Sequence, residues 1–323
     1  MRLVTVKEKP IAGHDLMQAS VIICCHNPRR DYLARVLEAL KAQTLSKNNW
    51  ELLVIDNASK EPVSVSHDVS WHPNARHLRE ENVGLTCARL RGIAESSADV
   101  LIFVDDDNVL AENYVEVATQ IAIDWRCLGA WGGGQYLAEF EGGEPREDWK
   151  RDFWTSRLVR DIWSNNYDRQ ATPVGAGFCI RRAVAMKYAK CIQSDSLRFS
   201  LGRRGVEMNS CEDIDMAFTA CDLGFGIGRF AALSMIHLIP KQRLSDDYLF
   251  RLIEEIAYSE AIVSAVRGNT PTMGSRLERL VEFYKSLQMD ELQRRTARAR
   301  ASGKIRAIKR LERKRNRVAS RAR

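Results

Sequence analysis

Three short apolar runs, each stopped by polar residues, limit this chain to few folds. Ser20-Val21-Ile22-Ile23-Cys24-Cys25 ends at His26-Asn27-Pro28, and Glu51-Leu52-Leu53-Val54-Ile55 ends at Asp56-Asn57-Ala58-Ser59. Val100-Leu101-Ile102-Phe103-Val104 ends at Asp105-Asp106-Asp107-Asn108, and Arg76-His77-Leu78 before it is read as a short third strand. Runs without alternation predict strands covered on both faces, as in a parallel sheet. Between them, Asp31 to Gln43 and Leu85 to Ser96 repeat apolar residues at three- and four-residue steps, so both are read as helices. Alternation of strand and helix predicts βαβ units. Residues 1–18 are a lead-in without periodicity.

Beyond residue 128 the pattern changes. Gly129 to Gly134 and Val174 to Phe178 are glycine-rich and flank an aromatic, charged stretch with Trp149, Phe153, Trp154 and Trp163. Residues 212–222 and 247–266 read as helices, and 277–323 as largely helical. The 323 residues are 45% hydrophobic and 28% charged, which excludes collagen-like, low-complexity and fully disordered chains. No run reaches the ~18 apolar residues of a membrane-spanning helix. The N-terminus lacks the apolar core of a signal peptide. The eight cysteines form no C-x-x-C pair and read as reduced thiols of a cytosolic protein.

In an open parallel sheet, ligands bind beyond the carboxyl ends of the strands. A turn needs one Asp, and three adjacent carboxylates repel one another. A divalent cation held by hard oxygen ligands offsets that repulsion, whereas a solvated acidic turn is the plainer reading.

With these motifs in order, the chain resembles an inverting, non-processive family 2 glycosyltransferase. SVIICCHN, LLVIDNAS, REENVGLTCARLRGI and DVLIFVDDDN carry the resemblance, which extends over residues 19–240. It implies the GT-A nucleotide-diphospho-sugar transferase fold, an α/β fold with a Rossmann-like mixed, mainly parallel sheet. Residues 19–108 would bind nucleotide and 109–240 the acceptor. A helical extension (241–290) and a basic helical or disordered tail (291–323) would follow.

The resemblance also implies roles. Cys25 and Asn27 would line the base and ribose pocket, and Asp56 would accept a hydrogen bond from the base. Asn82 and Arg89 would face the nucleotide. Asp105 and Asp107 are the ends of a D-x-D element: Asp105 would bind ribose or the water shell of a metal, and Asp107 would ligate the metal. Asp106 would lie near the donor sugar, and Gly175 and Gly177 beneath it. His237, after the run Ala231–Ile236, would complete the shell of Mn²⁺ or Mg²⁺. Asp213 would be the base that takes the acceptor proton, oriented by Glu212. As a simpler reading, Glu212, Asp213 and Asp215 complement a helix dipole. Trp131, Trp149, Trp154 and Trp163 would stack on acceptor sugars or fill a small core, and the sequence favours neither. Processive relatives carry Q-x-x-R-W and membrane helices. Here Lys241-Gln242-Arg243-Leu244 stands instead, which favours addition of a single sugar.

The expected partners are a nucleotide-diphosphate sugar, a UDP-sugar first, and a glycan or lipid-linked acceptor. The formal charge of +7 is uneven: residues 291–323 hold 14 Lys/Arg against 2 Asp/Glu. Such a tail suits an anionic membrane surface, and implies a cytoplasmic protein peripheral on the inner face of the membrane. It would also bind nucleic acid, without specificity. A non-catalytic, transferase-like scaffold working through that tail is the competing function. A nucleotidyltransferase would show a glycine-rich loop after the first strand, where Cys25 to Arg30 has no glycine.

Overall fold

The computed structural model describes residues 17–205 and 208–321. The first strand, β1 (Ala19–Cys25), is followed by α1 (Arg30–Lys41), β2 (Trp50–Asn57), the short α2 (Val63–Ser66) and β3 (Ala75–Glu80). Next come α3 (Leu85–Glu95), β4 (Val100–Asp105), β5 (Asn108–Leu110), α4 (Tyr114–Asp124) and β6 (Leu128–Phe140). A helical turn α5 (Glu147–Trp149) runs into one π-helical turn at 150–154, then β7 (Ser156–Arg157), β8 (Ile162–Ser164) and β9 (Phe178–Arg181). The remainder is α6 (Arg182–Ser194), α7 (Ser196–Phe199), α8 (Glu212–Asp222), β10 (Gly226–Ile239), α9 (Asp246–Val266), α10 (Arg276–Leu287) and α11 (Glu291–Arg321).

Ten strands form one mixed sheet in the order β3-β2-β1-β4-β9-β6-β10-β5, with β7 on β6 and β8 on β10. β1 to β4 are mutually parallel, as the apolar runs predict. β1 and β2 are buried along their whole length, which explains why neither alternates polar with apolar residues. β9 enters antiparallel between β4 and β6, and β5 pairs antiparallel with β10. This is the mixed α/β sheet with a helical C-terminal part that the resemblance implies. The third strand is twice its expected length, because its outer half pairs with β2 through to Asn57↔Glu80. The helical stretch from 277 divides into α10 and α11.

The chain forms two compact units. The first holds the sheet: the chain up to Lys190 together with Met216–Ile239. Its core joins Val21, Ile23, Val54, Ile102 and Val104 of the parallel strands to Leu33, Val36, Leu37 and Leu40 of α1 and Tyr114, Val115 and Ala118 of α4. The second holds Cys191–Asp215 and Pro240–Arg323. Residues 191–215 therefore group with the C-terminal helices, whereas the sequence assigned 109–240 to a single half.

Within the second unit, α9 and α11 pack closely. A Cβ on Gly303 would collide with the Glu254 carbonyl oxygen and lie 2.9 Å from the Tyr258 nitrogen. Ala307 and Ile308 are buried beside it. The stretch 291–321 is thus a helix with one packed side.

Candidate active site

The carboxyl ends of β1, β2 and β3 are tied together by side chains. The Asn27 backbone N–H donates to Ser59 Oγ (2.8 Å), and Asn27 Oδ1 accepts from the Lys60 N–H (2.9 Å). His26 Nδ1 lies 2.6 Å from the Asn57 carbonyl, and its Nε2 lies 2.9 Å from Asn27 Nδ2. A carbonyl only accepts, so the imidazole carries its proton on Nδ1. Asn57 continues the chain of bonds. Its Nδ2 donates to the carbonyls of Glu80 (3.2 Å) and Asn82 (2.8 Å), and its Oδ1 accepts from Gly84 N–H (2.7 Å). Asn82 is held in turn by Glu80 Oε1, at 2.7 Å from its Nδ2. Asn27 and Ala58 hold positive φ angles of 50° and 51° in these loops. Such backbone costs on the order of 1–3 kcal/mol and persists where its surroundings fix it, often at functional sites.

Asp56 is buried at the end of β2. Its Oδ1 accepts from the Ser59 N–H (3.0 Å), while Oδ2 accepts from the Val63 N–H (3.2 Å) and Arg79 Nη1 (2.8 Å). Burial alone would raise its pKa, but these donors outweigh burial and hold the carboxyl below its ordinary value. Asp56 and Arg79 face each other in the β2–β3 register. The expectation for Asp56 was a base contact, and the structure adds a role in fixing its own loop. Cys25, expected to line the base and ribose pocket, ends β1. Its thiol is buried against the core, 3.6 Å from the Ile55 carbonyl, and burial pushes its pKa up.

At the end of β4 the acidic triplet divides. Asp105 Oδ1 lies 3.7 Å from Arg89 Nη2, a guanidinium that is itself buried and lies over the Phe103 ring. Arg89 thus meets the triplet from α3. Asp106 is half-buried in the turn between β4 and β5. Asp107 is buried, with Oδ1 accepting from Asn108 Nδ2 (2.9 Å) and Oδ2 lying 3.5 Å from His237 Nε2. Backbone pairing explains that meeting. His237↔Asn108 is a register pair of β10 and β5, and the Leu238 N–H donates to the Asp107 carbonyl at 2.9 Å. Trp154 packs edge-on to the His237 ring at 5.8 Å.

Asp107 and His237 suit a divalent ion chemically: one hard oxygen and one imidazole, at a separation of the order that two ligands of one ion adopt. Asp105 Oδ1 lies by Arg89 Nη2, at 3.7 Å. Among the described residues no three His, Cys, Asp or Glu gather closely enough to hold a metal.

Gly175 is half-buried, and Gly177 is buried with φ +65°, a conformation that favours glycine. Its carbonyl accepts from the Tyr114 hydroxyl (2.7 Å), which a Cβ at 177 would strike. Of the four tryptophans, Trp131, Trp149 and Trp154 are buried and Trp163 is exposed. Trp163 alone of these can stack on a ligand from outside.

In the second unit, Cys211 holds a φ of +69° before α8, and its carbonyl accepts from the Asp215 N–H at 3.0 Å. The three carboxylates of the first turn differ. Asp215 is fully buried and paired with Arg267 (2.6 Å) and Arg198 (3.5 Å). Glu212 is buried, and Asp213 is half-exposed with Oδ1 accepting from the Ile214 N–H (2.9 Å).

Sequence reading missed Asn57, Arg79, Asn108 and Tyr114. Asn57 and Asn108 directly follow strand-end aspartates, which is a usable signal. Arg79 and Tyr114 owe their places to strand register and helix packing.

Residues 20–188 match the family model described as "Glycosyl transferase family 2". The chain belongs to glycosyl transferase family 2. Among curated relatives, it is 30% identical over 100 residues to the uncharacterized glycosyltransferase YwdF of Bacillus subtilis strain 168, covering 31% of this chain and 36% of that one. It is 33% identical over 102 residues to an uncharacterized glycosyltransferase of Haemophilus influenzae, covering 32% and 33%. The alignments thus span about a third of these relatives. Among solved structures, S. aureus TarS 1-349 in complex with UDP matches with a TM-score of 0.49 and 15% identity, covering 75% of this chain and 65% of that chain. No helix among the described residues is long and apolar enough to cross a membrane.

Proposed function

We propose that this family member is a metal-dependent, inverting glycosyltransferase. It moves one sugar from a nucleotide-diphosphate donor, a UDP-sugar first, to a hydroxyl of a glycan or lipid-linked acceptor. The observation that carries this reading is the Asp107–His237 pair, set at the end of β4 beside three interlocked strand-end loops. An ion held by these two side chains would supply positive charge beside the diphosphate.

Asp107 and His237 would hold Mn²⁺ or Mg²⁺, which when bound supplies positive charge for the leaving diphosphate. Arg89 neutralises part of the acidic triplet and orients Asp105 toward ribose. Asn27 and Asn82 hold the loops that bracket the nucleotide, with Asp56 beneath them. Asp106 and the Gly175–Gly177 segment would border the donor sugar. An acceptor hydroxyl is a weak nucleophile until its proton has a destination, and we assign that task to Asp213, with Glu212 orienting it. The hydroxyl oxygen would bond to the anomeric carbon while the carbon–diphosphate bond breaks. The nucleoside diphosphate would leave with the bonding electrons, and the anomeric configuration would invert.

The test is a thermal-shift panel of UDP, GDP, CDP and dTDP, each with Mn²⁺ or EDTA. The expected result is one diphosphate that raises Tm with Mn²⁺ and much less with EDTA. Equal shifts in the two conditions would sink the metal assignment. No shift with any of them, in folded protein, would favour a scaffold that binds no donor.

A further inference from the structure

We infer that the C-terminal helices of the second unit are a docking surface for an anionic lipid bilayer. Two observations point to it. On α10, Leu277, Leu280, Val281, Tyr284 and Leu287 recur at three- and four-residue steps, which places them on one helical face. All five are between 44% and 70% exposed. A helix of a globular protein ordinarily turns such a stripe into its core.

The second observation concerns α11, which begins four residues after Leu287. One side of this 31-residue helix packs on α9 through Gly303, Ala307 and Ile308. Some cations are engaged within the unit: Arg306 by Glu254 and Glu255, Arg295 by Asp246 and Asp247, and Lys314 by Asp195. Arg294, Arg298, Lys304, Lys309 and Arg313 are exposed and pair with no acidic side chain among the described residues.

The combination selects the partner. Unpaired cations on one helix attract an anionic surface, each contributing about 1 kcal/mol near a charged bilayer. Exposed leucines on the adjoining helix gain from entering the boundary between headgroups and acyl chains. A nucleic acid would reward the cations but leave the leucine stripe in water. A bilayer rewards both.

Full-length protein should float with vesicles of phosphatidylcholine plus phosphatidylglycerol, and not with phosphatidylcholine alone. High salt should weaken binding, because exposed charges are screened. Leu280→Asp combined with Leu287→Asp should lower vesicle partition about tenfold or more. Arg298→Glu combined with Lys309→Glu should do the same while leaving the apolar stripe intact. Flotation unchanged by the leucine substitutions would overturn the inference. So would wild-type protein that ignores vesicles yet binds an RNA oligonucleotide. A dimer in light scattering that the leucine substitutions dissolve, without vesicle binding, would assign the stripe to a second copy instead. The diphosphate thermal shift should survive in both double variants, so failure here and failure of the donor reading are distinguishable.

Discussion

His72 and Asp56 are both buried ionisable side chains of the first unit, and pH separates them. His72 packs edge-on to the Trp50 ring at 4.1 Å, and its Nδ1 accepts from the Asn74 N–H at 3.2 Å. Burial first, then nearby Lys47, lower its pKa from 6.5 to about 4. The unfolded chain therefore takes up this proton at a higher pH than the folded one. His72 imposes no penalty above about pH 6.5, and stability declines as pH falls from there toward 4. The shift is equivalent to roughly 3 kcal/mol at its limit. We predict that Tm of His72→Gln declines less steeply over that window than wild-type Tm, measured by differential scanning fluorimetry. Asp56 behaves in the same direction at lower pH. Its pKa is depressed, so its contribution is complete above about pH 4 and fades as the carboxylate protonates below that. Asp56→Asn should therefore cost on the order of 2–3 kcal/mol at pH 7 in urea unfolding, and progressively less in acid. Asp56 was legible because a strand-end carboxylate stands out beside an apolar run. Arg79, its partner, was not, because only the β2–β3 register brings a residue 23 positions away to face it.

Helices were legible where periodicity was strong and opaque where a single close contact decides the packing. The amphipathic repeats located α1, α3 and α8 to within a few residues, yet nothing in the basic sequence around Gly303 marks it as the contact between α11 and α9. Two effects oppose each other at that position. Alanine gains about 1 kcal/mol over glycine in helix propensity. Its Cβ would also strike backbone atoms of Glu254 and Tyr258, which cannot turn aside as a side-chain tip can. Overpacking of this kind costs about 1–3 kcal/mol, so the clash should win. Gly303→Ala should lower stability despite the better helix former, measured as a smaller unfolding midpoint in urea. The first turn of α8 repeats the lesson. Three acidic residues at a helix start complement its dipole whatever else they do, so the sequence could not rank them. The structure commits Asp215 to Arg267 and Arg198. Breaking a buried pair leaves an uncompensated charge, so Arg267→Met should destabilise by about 3–5 kcal/mol.

The parallel half of the sheet was written in consecutive apolar runs, but the assignment of segments to compact units was not. Residues 191–215 group with the C-terminal helices because of contacts far apart in sequence, and no local pattern encodes those. This division gives the proposed mechanism a sharp test. Asp107 and His237 lie in the first unit, and Asp213 in the second. If donor binding belongs to the first unit, Asp107→Ala should abolish the metal-dependent thermal shift with diphosphate. Asp213→Asn should keep that shift, since it preserves size and removes only the capacity to take a proton. Turnover of the sugar donor should then fall by about 10²–10⁴-fold, the usual contribution of a positioned base. A nucleotide shift lost in Asp213→Asn would move that residue from proton transfer to donor binding. Full turnover in the same variant would return the start of α8 to a purely structural role, with its charges complementing the helix dipole.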